Sequence, residues 1–330
     1  MIIDIHGHLN APPELYAYKA GLLSSRGAYS HWGGIPDERL RAVVENHIST
    51  VLDAVGTDMQ FLSPRPFQLM HSEKPGRLVE EFCRVNNDLI AKTVEMYPNR
   101  YQGVAGLPQL HGEPVDVVLE EVDRCVNDLG FIGIMINPDP SEGLDNDTPP
   151  MGDEYWYPLY ESMVKYDVPA FVHSASCKNV RESYTGHFIT EESIQTVSIC
   201  DSTVYEDFPT LKIIMCHGGG SIPYQIGRWR ALRWRQPNVK PFDESLRQLY
   251  FDSVLYNKEG LELLFKIVGT DRCMFGTERP GTGSSKDPNT GLWLDDLKPV
   301  IEDIDWLTDD DRANVFENVA RECFPRFGAA

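Results

Sequence analysis

The sequence contains no CxxC pair, no internal repeat, no low-complexity segment and no clear linker. No apolar run approaches the roughly 18–20 residues that a membrane span needs. The start, "MIIDIHGH", lacks the basic beginning and long apolar stretch of a signal peptide. Basic residues are scarce: 30 Lys and Arg stand against 50 Asp and Glu, a net charge of −20. A field of that sign repels nucleic acid and acidic membranes, so neither is expected as a partner. The seven cysteines are odd in number and without metal-finger spacing. They imply reduced thiols in a soluble, cytoplasmic protein.

What is present is an ordinary enzyme composition, with 42% hydrophobic and 24% charged residues in 330. Eight short apolar runs punctuate it: "IIDIH", "MQFLS", "YQGVAG", "FIGIMIN", "PAFVHS", "KIIMCH", "LYFDSV" and "CMFGT". They are mostly apolar on both faces, as parallel strands buried under helices must be. The segments between them read as helices. In "EPVDVVLEEVDRCVNDLG", Val115, Val118, Val122 and Val126 fall on one face, between Pro114 and a terminal Gly130. Thr308 suits the N-cap of the last helix. Eight βα units in order predict an α/β fold, a (β/α)8 TIM-like barrel, with a doubly wound open sheet as the alternative. One domain over residues 1–330 is expected. A long loop over about 9–36 is a candidate lid, and the acidic stretch "PSEGLDNDTPPMGDE" reads as an exposed loop.

In a barrel the active site lies where the strands end at their C-terminal side. Strand 1 ends in His6-Gly7-His8, strand 5 in His173, strand 6 in His217 and strand 8 in Glu278, within "FGTERPG". Residues i and i+2 of a strand point to one side. His6 and His8 at a barrel mouth therefore suit a shared metal ion, the competing reading being two packed histidines in a turn. His173 offers a third nitrogen, or is a core histidine bonded to a carbonyl. Three protein ligands plus water is the usual catalytic zinc arrangement. His217 precedes "GGG", but no Lys-Ser/Thr follows, so a phosphate loop is a weak reading; near a bound water, His217 suits a proton carrier. Arg65 after strand 2, Arg279 beside Glu278, Tyr184 after strand 5 and Asn137 ending strand 4 are candidate substrate contacts. Arg279 reads equally as a structural ion pair, and Asn137 equally as a loop cap. His31 and His187 are weaker candidates, and the arginines of "RWRALRWR" read as a solvent-facing or subunit-facing helix.

"DIHGH", "FVH", "CHGGGSIP" and the carboxylate in "FGTERP" resemble the amidohydrolase-related metalloenzymes, in the branch that holds aminocarboxymuconate-semialdehyde and γ-resorcylate decarboxylases. The resemblance runs through nearly the whole chain with the motifs in order. It implies an amidohydrolase-type barrel in which His6, His8 and His173 bind the metal, His217 is the acid/base residue and Glu278 is the last ligand. The decarboxylases carry aspartate at that last place. Glu278 followed by Arg-Pro-Gly resembles instead the family's 4-oxalomesaconate hydratase subgroup, which acts in ring-cleavage degradation of protocatechuate or gallate. That implies hydration of an unsaturated, anionic di- or tricarboxylate, with zinc as cofactor. Iron, cobalt and manganese also suit the donor set. The resemblance further implies a homo-oligomer such as a dimer. A metal-dependent decarboxylase, a lactone hydrolase and a non-enzymatic binding protein are the alternatives.

Overall fold

Eight parallel strands, β1 (Ile3–His8), β2 (Met59–Ser63), β3 (Tyr101–Gly106), β4 (Gly133–Ile136), β5 (Ala170–Val172), β6 (Ile213–Met215), β7 (Tyr250–Asp252) and β8 (Cys273–Met274), pair in sequence order. The structure, a computed structural model, describes residues 1–28, 31–145, 147–236 and 239–328. Parallel neighbours need crossovers, and helices fill them. The long helix Arg77–Met96 shows how: Leu78, Phe82, Val85, Leu89 and Ile90 form one buried face. The ring closes where the Ile5 N–H donates to Phe275 O (2.9 Å) and the Glu278 N–H to His6 O (2.7 Å). The fold is thus the barrel rather than the open sheet.

Alternate strand residues serve two cores. Ala170 and Val172 face the helices, whereas Phe171 joins Ile3, Ile5, Phe61, Ile214 and Met274 in the barrel interior. Phe324 from the C-terminal segment packs there against Phe61 and Phe171, at ring separations of 4.9 and 5.7 Å. In β1 the pairing register with β2 shifts between Asp4 and Gly7: three steps on β1 match two on β2. This bulge changes the phase of the strand. Ile3 and Ile5 point inward below it, and His6 and His8 point inward beyond it.

Three local expectations change. The stretch expected as a long loop carries a helix, Pro13–Ser25, because Leu15 and Leu22 recur on one face and bury against the barrel. Residues 29 and 30 of that stretch lie outside the described residues. The acidic stretch is not simply exposed: Ser141, Glu142 and Met151 are buried. Ser72 and Lys178 hold Glu142, and Gln195 accepts the Met151 N–H. In "RWRALRWR", Arg230 pairs with Asp243 and Arg233 with Asp201, so these two serve the helix packing. The last helix starts as expected, with Thr308 and Asp311 forming a reciprocal cap, but passes through a π turn at Asn314–Asn318. Among the described residues no helix is long and apolar enough to cross a membrane.

Candidate metal centre and active site

The barrel brings His6 and His8 from β1, His173 just after β5 and Glu278 just after β8 to one place. One donor atom from each lies within 4.8 Å of the others, and all four residues are buried. The imidazoles are fixed from behind. The Nδ1–H of His6 donates to Asp252 Oδ2 (2.7 Å). The Nδ1–H of His173 donates to the Ser174 carbonyl (2.6 Å). The Ser63 hydroxyl donates to Gly7 O, which leaves its oxygen free to accept from His8 Nδ1 at 2.9 Å. With every Nδ1 occupied as a donor, every Nε2 carries a lone pair. All three Nε2 atoms are buried without a hydrogen-bond partner. Three bare, converging nitrogens and a carboxylate would be costly as a dry cluster and suit a divalent cation well. Burial first, then the neighbouring imidazoles, push His8 and His173 well below the usual histidine range, which favours neutral rings.

Gly7 between the two histidines has a packing reason. A Cβ there would meet the Gln60 side chain at 2.4 Å. Gln60 is a hub under the site: its amide nitrogen donates to Asp4 Oδ2 (2.8 Å) and Arg279 O (3.2 Å), and its Oε1 accepts from His47 Nε2 (3.1 Å). Asp4 in turn accepts from Thr277 N and Oγ1, tying β1 to the segment that carries Glu278.

His217 stands beside this centre. Its Nδ1–H points at both oxygens of Glu192 (2.8 and 2.9 Å), and its Nε2 lies 3.6 Å from Glu278 Oε1. Burial opposes a charge on His217, but Glu192 and then Glu278 outweigh it and hold the imidazole well above its ordinary range. Burial likewise pushes Glu278 up, and His217 more than reverses it. Both shifts favour an imidazolium facing a carboxylate. The other oxygen of Glu278 accepts from the Tyr256 hydroxyl. Both His217 (φ 49°) and Glu278 (φ 56°) adopt left-handed backbone, which non-glycine residues hold only when surroundings compel it. The glycines after His217 make the turn into the next helix: at Gly219 (φ +78°) a Cβ would sit 2.8 Å from the Phe251 ring.

A cavity of about 250 Å³ opens onto the centre, lined by His8, His173, Glu278, Arg65, Tyr184 and Phe67 among others. Arg65 Nε is buried there without a hydrogen-bond partner, and no described carboxylate forms an ion pair with this guanidinium. Tyr184 packs on Phe188 and Phe67 at the wall. Two predicted substrate contacts are placed elsewhere. Arg279 is buried against Asp295 (3.4 Å) and the Trp293 ring (5.0 Å). Asn137 caps its own loop through Asp139 and holds His71 Nδ1 at 2.8 Å. Neither lines the cavity. His31 lies on a separate surface hollow, and His187 bonds to Glu182.

The supports of the site escaped sequence reading. Asp252 was open to discovery, since it ends strand 7 as the histidines end theirs. Glu192 and Tyr256 carried no such signal: one lies inside a helix, the other in a loop after β7.

A family model described as amidohydrolase matches residues 3–326. The chain is 33% identical to a 2-keto-4-carboxy-3-hexenedioate hydratase from Sphingobium sp., over 100% of this chain and 97% of that protein. A γ-resorcylate decarboxylase from Rhizobium sp. is 28% identical over 70% of this chain and 75% of its own length. Among solved structures, 4-oxalomesaconate hydratase from Rhodopseudomonas palustris superposes with a TM-score of 0.90 at 29% identity, covering 100% of this chain and 97% of that one. A dihydroxybenzoic acid decarboxylase from Polaromonas sp. with bound manganese shares the fold, with a TM-score of 0.71 at 21% identity over 99% of this chain and 98% of its own.

Proposed function

The chain belongs to the amidohydrolase family, and we propose that it is a hydro-lyase that hydrates 2-keto-4-carboxy-3-hexenedioate or its double-bond isomer 4-oxalomesaconate. The observation that carries this reading is the apposition of His217 Nε2 and Glu278 Oε1, 3.6 Å apart, beside three open imidazole nitrogens. Hydration needs one group that takes a proton from water and one that gives a proton to the substrate, and this pair offers both.

His6, His8, His173 and Glu278 would hold the metal, for which we assign zinc from the three nitrogens and one oxygen. A divalent ion held there would lower the pKa of a bound water toward neutral. Glu278, kept ionised by His217, accepts the proton of the attacking water. In 2-keto-4-carboxy-3-hexenedioate the double bond is conjugated to the ketone. Oxygen therefore adds at carbon 4, and the electron pair moves to carbon 3 and the ketone oxygen as an enolate. His217, held charged by Glu192, donates a proton to carbon 3. The sum is one water added across the bond, with hydroxyl on carbon 4 and hydrogen on carbon 3. Arg65 binds a substrate carboxylate through its planar fork, and Tyr184 and Phe67 wall the cavity. The unpaired guanidinium answers locally the repulsion that a net charge of −20 imposes on an acid.

The test is direct. Metal-loaded enzyme is mixed with the unsaturated keto-tricarboxylate, and conjugated absorbance and carbon dioxide are followed together. Loss of absorbance without gas is the expected result. Release of carbon dioxide would replace this reading with a decarboxylase.

A further inference from the structure

Tyr256 lies in the segment "SVLYN", which leads from β7 into the helix Lys258–Val268. Its backbone is left-handed (φ 58°), like those of His217 and Glu278. An aromatic residue holds that conformation only under constraint. Both chain neighbours of Tyr256 supply some of it. Leu255 packs on Gly218, where a Cβ would sit 3.0 Å from Leu255 Cδ2. Asn257 caps the helix by accepting the Gly260 N–H at 3.1 Å.

The hydroxyl so placed donates to Glu278 Oε2. An ionised carboxylate offers only acceptor positions, so the phenol is the donor. Two glycines of "ERPGTG" make room for the contact. A Cβ on Gly281 would lie 2.8 Å from Glu278 Cδ, and one on Gly283 would lie 2.3 Å from Tyr256 Cε1. The turn is itself tied down: the Gly281 N–H donates to Ser284 Oγ (3.2 Å), and the Ser284 hydroxyl donates to Asp295 Oδ2 (2.6 Å). Glu278, Pro280, Gly281 and Thr282 border the active cavity, whereas Tyr256 does not. The hydroxyl therefore acts through Glu278.

In a free glutamate the two carboxylate oxygens are equivalent, and the torsion that exchanges them is soft. Here they differ. Oε1 stands 3.6 Å from His217 Nε2 and 3.9 Å from His173 Nε2, while Oε2 is taken by Tyr256. We propose that Tyr256 is a positioning residue that fixes this division, reserving Oε1 of Glu278 for the metal centre and for the proton of the attacking water. The inference deepens the hydratase reading and rests on the metal centre assigned there. Without the hydroxyl, Oε2 is a buried acceptor with no partner, and the carboxylate is free to turn about its last torsion.

Tyr256→Phe keeps the ring and removes the bond. Its zinc affinity, read by competition with a coloured chelator and so independent of any substrate, is expected to fall about 10–100-fold, the range for a lost partner of a metal ligand. The kcat for the unsaturated keto-tricarboxylate should fall with it at unchanged KM. In a Glu278→Ala background the same substitution should leave zinc affinity unchanged, because the group it acts through is gone. Wild-type zinc affinity in Tyr256→Phe, even with a lowered melting temperature, would mean that the phenol only packs, and overturns the proposal. So does an equal loss of affinity in both backgrounds. Wild type that binds no zinc would instead remove the metal centre itself, and the role of Tyr256 with it. Weaker zinc binding in Tyr256→Phe sustains the role of Tyr256 even if the substrate proves to be another acid.

Discussion

Asp252 Oδ2 lies 2.7 Å from His6 Nδ1, while Asp252 Oδ1 accepts the backbone N–H groups of Gly218 (3.2 Å) and Val254 (3.1 Å). One buried carboxylate thus orients His6 on β1 and anchors the turn that carries His217. Burial works against its charge, but His6 and His217 hold it below the ordinary carboxylate range. Asp252→Asn is expected to weaken metal binding about 10–100-fold, read by competition with a coloured chelator.

Glu278→Gln and His217→Asn should each lower turnover by roughly 10²–10⁴-fold, the range for a lost acid or base. Metal content should fall mainly in Glu278→Gln. A His217→Asn enzyme with near-normal turnover would remove the proton-donor role from this residue.

In the proposed reaction Arg65 contributes binding rather than chemistry. Arg65→Gln is expected to raise KM for the tricarboxylate about 10–100-fold, the loss of one charge-assisted carboxylate contact, with a smaller change in kcat. Arg65→Lys should recover part of the KM, since it keeps charge and loses the fork. A KM unchanged in both variants would place the substrate carboxylates elsewhere.

Gly7→Ala puts a methyl group 2.4 Å from Gln60. Gln60 is tied on three sides by Asp4, Arg279 and His47, so it has little room to yield. Overpacking of this kind costs about 1–3 kcal/mol, to be read from urea unfolding. Metal affinity should fall as well, because the strain sits between His6 and His8, two residues of the proposed centre.

His47 governs part of the acid sensitivity. Burial lowers its pKa to about 4 against the partial compensation of Gln60, whereas an unfolded histidine titrates near ~6.5. The folded state therefore favours the neutral ring. The contribution is fully present above pH ~6.5 and is lost as pH falls toward about 4. His47→Gln should flatten the stability curve across that window and leave it unchanged above. An equal acid slope in both proteins would refute the assignment.

The barrel and the polar residues gathered at its mouth were legible because two periodicities coincide. Fully apolar runs mark strands buried on both faces, and a polar residue ending such a run has few explanations other than the mouth of the barrel. His6, His8, His173, His217 and Glu278 all stand out on that criterion. What stayed hidden depends on contacts made by folding. The bulge in β1 that turns His6 inward leaves no mark in a run such as "IIDIH". The pairing of Glu192 with His217 joins residues 25 apart through a helix and a turn. Arg279 looked like Arg65 as a free cation near a ligand; only packing against Asp295 and Trp293 separates them. The helix Pro13–Ser25 was missed because its apolar residues are spread around it rather than gathered on one face.

The seam between β1 and β8 has a consequence for how the protein is made. Asp4 bonds to Thr277, and His6 to Glu278, across about 270 residues of chain. On a ribosome the three histidines emerge well before the carboxylate that completes the centre. The fourth donor joins the three nitrogens only when the last strand docks beside the first. In the proposed centre full-strength metal capture would follow only once β8 has docked, and chains truncated before β8 should bind metal loosely.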